Sequence, residues 1–143
     1  MLLKHQVFGQ VGELYAERFL KKQKYKILSK NHKTPFGEID IIAKTKNTYV
    51  FVEVKTRSSN AYGLPQEAVS RKKQLNIINS AENYLDQNKL FEVDYRFDII
   101  EVVGDGESFE INHIIDAFAW VAKRIFSYFF NLDNKLFYAI QKI

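Results

Sequence analysis

The 143-residue chain contains no cysteine. Disulfides, zinc–thiolate centres and cysteine nucleophiles are therefore excluded, and the composition suits a reducing, cytoplasmic setting. No Gly-x-Ser-x-Gly elbow occurs, so a serine-hydrolase reading has no support. The three histidines, His5, His32 and His113, lie far apart, and none has a partner at metal-ligand spacing. All three read as surface or turn residues. The opening stretch Met1 to Gln6 lacks the long apolar segment of a secretory signal. No run reaches the roughly 18 apolar residues of a membrane span, so no transmembrane segment is expected. There is no internal repeat and no low-complexity linker.

What is present is a chain long enough to bury a core, most simply one domain with a tail. Its net charge is +4 and its sequence pI about 9.2, a mild bias compatible with phosphate binding. The placement of the charge says more than its size. Lys30, Lys33, Lys44, Lys46, Lys55, Arg57, Arg71, Lys72 and Lys73 fall around the predicted strands and the helix that follows them.

The spacing of Val11, Leu14, Tyr15, Arg18 and Phe19 predicts a helix over 7–23. A short strand is expected over 25–31, and Thr34-Pro35-Phe36-Gly37 is a turn signal. Strands are predicted over 37–43 and 48–57, then a polar loop from Ser58 to Leu64 that includes Gly63. Pro65 suits the first turn of a second helix, which runs to about Gln87. Ala68, Ile78, Ala81, Tyr84 and Leu85 form its expected inner stripe. Asp94 to Val103 reads as a strand, Gly104-Asp105-Gly106 as a turn, and 108–114 as a last strand. This interleaving predicts an α/β sandwich around a mixed sheet.

The most informative run is Phe51-Val52-Glu53-Val54-Lys55. It carries an acid and an amine inside what otherwise reads as a buried strand. A second strand-like run, Glu38-Ile39-Asp40-Ile41-Ile42, carries another acid. Ionised groups are costly to bury unless they are paired or bind metal. Strand alternation puts Phe51, Glu53, Lys55 and Arg57 on one face and Val50, Val52 and Val54 on the other. If a hairpin turns on Lys46-Asn47, Asp40 falls opposite Glu53, and Glu38 opposite Lys55. Opposed Cβ atoms lie roughly 4.5–5.5 Å apart, which is repulsive for two bare carboxylates but suits two that share a divalent cation. The competing reading makes Glu53 and Lys55 solvated residues on an open strand face. Arg96 and Asp98 alternate on a single strand face and read as a structural pair.

The element order, with Asp40 followed by Glu53-x-Lys55, resembles the PD-(D/E)xK nuclease superfamily, although Ile39 stands where its name has proline. A closer resemblance is to the YraN-like family of uncharacterised proteins related to Holliday-junction resolvases. It rests on Gly9-Gln10-Val11-Gly12-Glu13 with Ala16, Ile27-Leu28-Ser29-Lys30-Asn31, Gly37 to Ala43, and Phe51 to Arg57. Ala68-Val69, Lys73-Gln74 and Arg96-Phe97-Asp98 extend it across roughly residues 8–117. The resemblance implies a restriction-endonuclease-like α-β-β-β-α-β core in residues 1–116, with a C-terminal extension over 117–143. It implies metal-dependent hydrolysis of DNA phosphodiesters, branched or single-stranded. Asp40 and Glu53 would hold Mg2+ or Mn2+ with the Val54 backbone carbonyl, and Lys55 would act on the attacking water or the developing charge. Glu13 resembles the helix acid that completes such sites, with an exposed helix acid as the alternative. Lys73, Gln74 and Arg57 would contact nucleic acid, although Lys73 also suits a solvated helix face.

The extension is rich in aromatics: Phe118, Trp120, Phe126, Tyr128, Phe129, Phe130, Phe137 and Tyr138. It is expected to be helical. A cover over the core, a self-association surface and a membrane-surface helix are the three readings. Resemblance to dimeric resolvases adds a homodimer as an expected partner. The function readings beside a nuclease are a nucleic-acid-binding module of the same fold that does not cleave, and an interaction protein recruited through its tail.

Overall fold

Apolar residues alternate along the middle of the chain, and in the computed structural model that alternation becomes a sheet with two buried faces. The structure describes residues 2–59, 69–105 and 107–119, with side chains from Phe8 onward. The elements are α1 (Leu2–Lys22), β1 (Lys26–Thr34), β2 (Gly37–Thr45), β3 (Thr48–Arg57), α2 (Arg71–Gln87), β4 (Asp94–Gly104) and β5 (Phe109–Phe118). The strands lie side by side in the order β1-β2-β3-β4-β5. Neighbours are antiparallel except β3 and β4, which are parallel and have α2 between them in the chain. This is the expected mixed sheet with a helix on each face. Among the described residues no helix is long and apolar enough to cross a membrane.

On one face Ala16 and Leu20 of α1 cover Ile41, Ala43, Val50, Val52, Ile100 and Val102. On the other, Ile77, Ile78, Ala81 and Leu85 of α2 cover Ile39, Ile42, Phe51, Phe97 and Ile99. Each fully buried aliphatic side chain is worth about 1.5–3 kcal/mol, so the two layers together hold the sheet.

Three expectations are revised. The α1 helix begins at Leu2 rather than 7, and Leu14 and Tyr15 are 45% and 37% exposed. Its buried stripe is Gly12, Ala16 and Leu20, because the helix sits close to β3: a Cβ at Gly12 would overlap Thr56 Oγ1. Second, α2 begins at Arg71, where Ser70 caps it by accepting the Lys73 N–H at 3.2 Å. Pro65 is therefore not in its first turn; Gly63, Pro65 and Ala68 lie outside the described residues. Third, β5 continues through Phe118, whose ring stacks on Phe97 at 5.2 Å. The expected C-terminal helix lies outside the described residues from 120 onward.

Candidate functional site

The β2–β3 hairpin turns on Lys46 and Asn47, with Lys46 at φ +52°. Its ladder runs from Thr45↔Thr48 to Ile41↔Val52, the expected register, and stops there. The next two positions are Asp40 and Glu53. Beyond the last pair, the Val54 N–H donates to Asp40 Oδ2 at 2.8 Å. A carboxylate thus takes a backbone donor where β2 and β3 separate. On its other edge β3 stays paired with β4 through Arg57↔Val103, so the splayed strand is held from one side. Glu38 and Lys55, expected to be opposed, lie beyond the ladder.

Glu53 is on the α2 face and only 4% exposed. Lys55 Nζ and Lys73 Nζ each lie 3.8 Å from its Oε1, as ion pairs rather than short hydrogen bonds. Its Oε2 is buried with no donor. Burial, followed by the charge of Asp40, pushes the Glu53 carboxyl up to about 7 against the pull of Lys73 and Lys55. Asp40 is also raised by burial, opposed by the Val54 N–H, Glu53 and Lys73. The two carboxyls are close enough to share a hydrogen bond, but ionised carboxylates have only acceptors. The pair is complete only with a proton or a cation between its oxygens.

Glu13 enters from α1. It lines a cleft of about 190 Å3 with Gln10, Glu17, Lys30, Asn31 and Asp40. Burial and then the Asp40 charge raise its carboxyl, while Asn31 draws it down. With the Asn31 amide oriented to suit its neighbours, Nδ2 donates to Glu13 Oε2 at 3.2 Å and to Glu38 Oε1 at 3.1 Å. Asn31 occupies the left-handed region at φ +49°. The arrangement therefore has Asp40 and Glu53 in direct interaction and Glu13 on the α1 wall. Among the described residues no group of three or more acids or histidines is tight enough to hold a metal by itself.

The residues expected to contact nucleic acid have other partners here. Arg57 Nη1 donates to Glu101 Oε1 at 2.7 Å. Gln74 Nε2 donates to Val69 O at 3.0 Å, and its Oε1 accepts from Arg71 Nη1 at 3.2 Å. Lys73 faces Glu53, with its amine partly exposed. The sequence reading missed Glu101 and the link from Asn31 to both Glu13 and Glu38. No local sequence signal pointed to Glu101, which Arg57 reaches only through the parallel pairing of β3 and β4.

A second charged cluster lies on the α1 face. Arg96 and Asp98 pair as expected, with Nε to Oδ1 at 3.0 Å. His113 corrects the surface reading: its Nε2 lies 2.8 Å from Asp98 Oδ2, and its ring meets Phe19 edge-on at 5.8 Å. The Asp116 N–H adds a bond to Asp98 Oδ1 at 3.0 Å. Burial alone would raise Asp98, but bonds from His113, Arg96 and Asp116 hold it below the ordinary range. These contacts lock β5 onto β4 through the irregularity between Phe97 and Ile99.

Residues 12–102 match the model of the Uncharacterised protein family UPF0102. A UPF0102 protein of Alkaliphilus oremlandii is 49% identical over 112 residues, covering 77% of this chain and 96% of that protein. One from Caldanaerobacter subterraneus is 49% identical over 113 residues, with 77% and 93% covered. One from Clostridium acetobutylicum is 45% identical over 112 residues, with 77% and 92% covered. With its mixed sheet, its two flanking helices and these relatives, the chain belongs to the UPF0102, or YraN-like, family of the restriction-endonuclease-like superfamily.

Proposed function

We propose that this protein is a metal-dependent endonuclease that hydrolyses phosphodiester bonds in DNA, with branched or single-stranded DNA as the preferred class. The observation that carries the proposal is the buried Asp40–Glu53 pair, with an unpartnered Oε2 and two amines beside it. Its donor set fits a hard cation, since carboxylate oxygens are the ligands Mg2+ and Mn2+ prefer. Asp40 and Glu53 would hold the ion, with the Val54 carbonyl and solvent available to complete its shell. Glu13, on the cleft wall, would orient a water. When bound, the ion would polarise the phosphodiester and make an attacking water more acidic.

The chain's own groups supply the rest. Asp40 is oriented by the Val54 N–H, so it need not reorganise on binding. Lys55 stands where a phosphate oxygen gaining charge could be neutralised, and its amine is partly exposed to solvent. Lys73, at the start of α2, would hold a neighbouring phosphate once a cation relieves it of Glu53. Arg57 and Gln74 would join only by leaving Glu101 and Val69. A cysteine-free chain accords with a cytoplasmic location.

The test is a cleavage assay with Mg2+ or Mn2+ on single-stranded, duplex and four-way-junction DNA. We expect cation-dependent cutting by the wild type and its loss in Glu53→Ala and Lys55→Ala. Tight binding without cutting, unchanged in both variants, would replace the nuclease with a binding module of the same fold.

A further inference from the structure

A groove of about 290 Å3 opens where α2 ends and the chain turns into β4. Leu85, Leu90, Phe91, Val93 and Tyr95 form its apolar lining. Phe91 is 72% exposed and adjoins the rest of this lining, so the exposed apolar surface is contiguous rather than a lone ring. Glu82 and Asp86, one helical turn apart on α2, give the groove an acidic wall. Burial, and then the charge of Glu82, raise the pKa of the Tyr95 hydroxyl. At the far end of α2 from Lys73, the groove is separate from the acid pair.

The last described strand ends close to this groove. The chain leaves β5 at Phe118, which pairs with Phe97 across the ladder and stacks on its ring. Phe97 in turn meets Tyr95 edge-on at 5.9 Å. Tyr95 precedes Phe97 by two residues on the antiparallel partner, so the described chain, which ends at residue 119, stops just short of the level of Tyr95. The sequence from 120 to 143 has the matching chemistry. It holds Trp120 and a run of Phe and Tyr residues, with four basic side chains (Lys123, Arg124, Lys135 and Lys142) against the single acid Asp133. These three UPF0102 relatives are almost fully covered by the match, while nearly a quarter of this chain lies outside it.

We propose that the groove between the C-terminal end of α2 and the start of β4 is the docking site for this chain's own aromatic, basic segment, residues 120–143. Aromatic rings would fill the space beside Phe91 and Tyr95, and Lys123 or Arg124 would meet Glu82 and Asp86. The occupant arrives within the same molecule, so its effective concentration is high and modest contact area suffices.

The chain offers a clean assay, since it has one tryptophan and no cysteine. A bimane fluorophore on Glu92→Cys, beside the groove, would report contact with Trp120 by quenching. In the dilute full-length chain we expect emission about twofold lower than in the same label carrying Trp120→Phe, as contact within van der Waals range requires. Glu82→Lys with Asp86→Lys, both exposed positions, should restore the brighter level while circular dichroism shows an intact fold. Equal emission with and without Trp120 would overturn the proposal. So would quenching that survives the charge reversal, or quenching that vanishes on dilution, which would assign the groove to a second copy's tail.

Discussion

Replacing Glu53 with glutamine should stabilise the protein, and the gain should depend on pH. Glu53 is buried beside Asp40 and titrates near 7 instead of 4.5. A carboxyl raised in the native state costs nothing below about pH 4.5. As pH rises through 4.5 to about 7, the unfolded chain releases its proton while the native chain keeps it, and stability falls. Above 7 the loss levels off at roughly 3 kcal/mol, at about 1.36 kcal/mol per pH unit. Glutamine is neutral throughout, and its amide can donate to the Asp40 carboxylate that Glu53 repels. With EDTA present, Glu53→Gln should match the wild type near pH 4.5 and exceed it by up to about 3 kcal/mol at pH 8. For a chain this size that is a rise of about 9 °C in Tm, taking about 3 °C per kcal/mol. Thermal melts across this pH range would measure it. Adding Mg2+ at pH 8 should stabilise the wild type and leave the variant unchanged. A variant less stable than the wild type at pH 8, or one with an equal gain at both pH values, would refute the reasoning.

Lys73→Met removes the larger of the two amine contributions that hold Glu53 down, so the Glu53 midpoint, followed by carboxyl NMR, should move above 7. Gly12→Ala drives a methyl into Thr56 and should cost about 1–3 kcal/mol in urea unfolding, with part recovered in the double variant with Thr56→Ala. Asp98→Ala strips the Arg96 guanidinium, His113 and the Asp116 N–H of their shared acceptor, and should cost about 3–5 kcal/mol by thermal melt. Because Asp98 is held below its ordinary 3.8, its contribution is present above that pH and is lost as pH falls through the native value.

The acid pair was legible in the sequence for two local reasons. A two-residue polar turn set the register of β2 against β3, and strict alternation set the faces of Phe51, Glu53 and Lys55. What could not be read was tertiary. The stripe of α1 was misjudged because large side chains usually mark the inner face, whereas here Gly12 and Ala16 do, letting the helix approach β3. The start of α2 followed Ser70, whose hydroxyl satisfies a free helix donor, and not Pro65. Arg57 found Glu101 only because β3 and β4 pair in parallel, a contact between residues 44 apart. His113 reached Asp98 through the β5 register, set by an irregularity and by Asp116 at φ +53°. No short window of sequence carries that information.

The account depends on Asp40 and Glu53 together gripping a divalent cation. Titration of Mn2+ into the protein at pH 7.5, read by electron paramagnetic resonance, tests this most directly. The wild type should bind a single ion with proton release, and both Asp40→Asn and Glu53→Gln should lose it while remaining folded. Binding that is absent in the wild type, or that persists unchanged in both variants, would contradict the account.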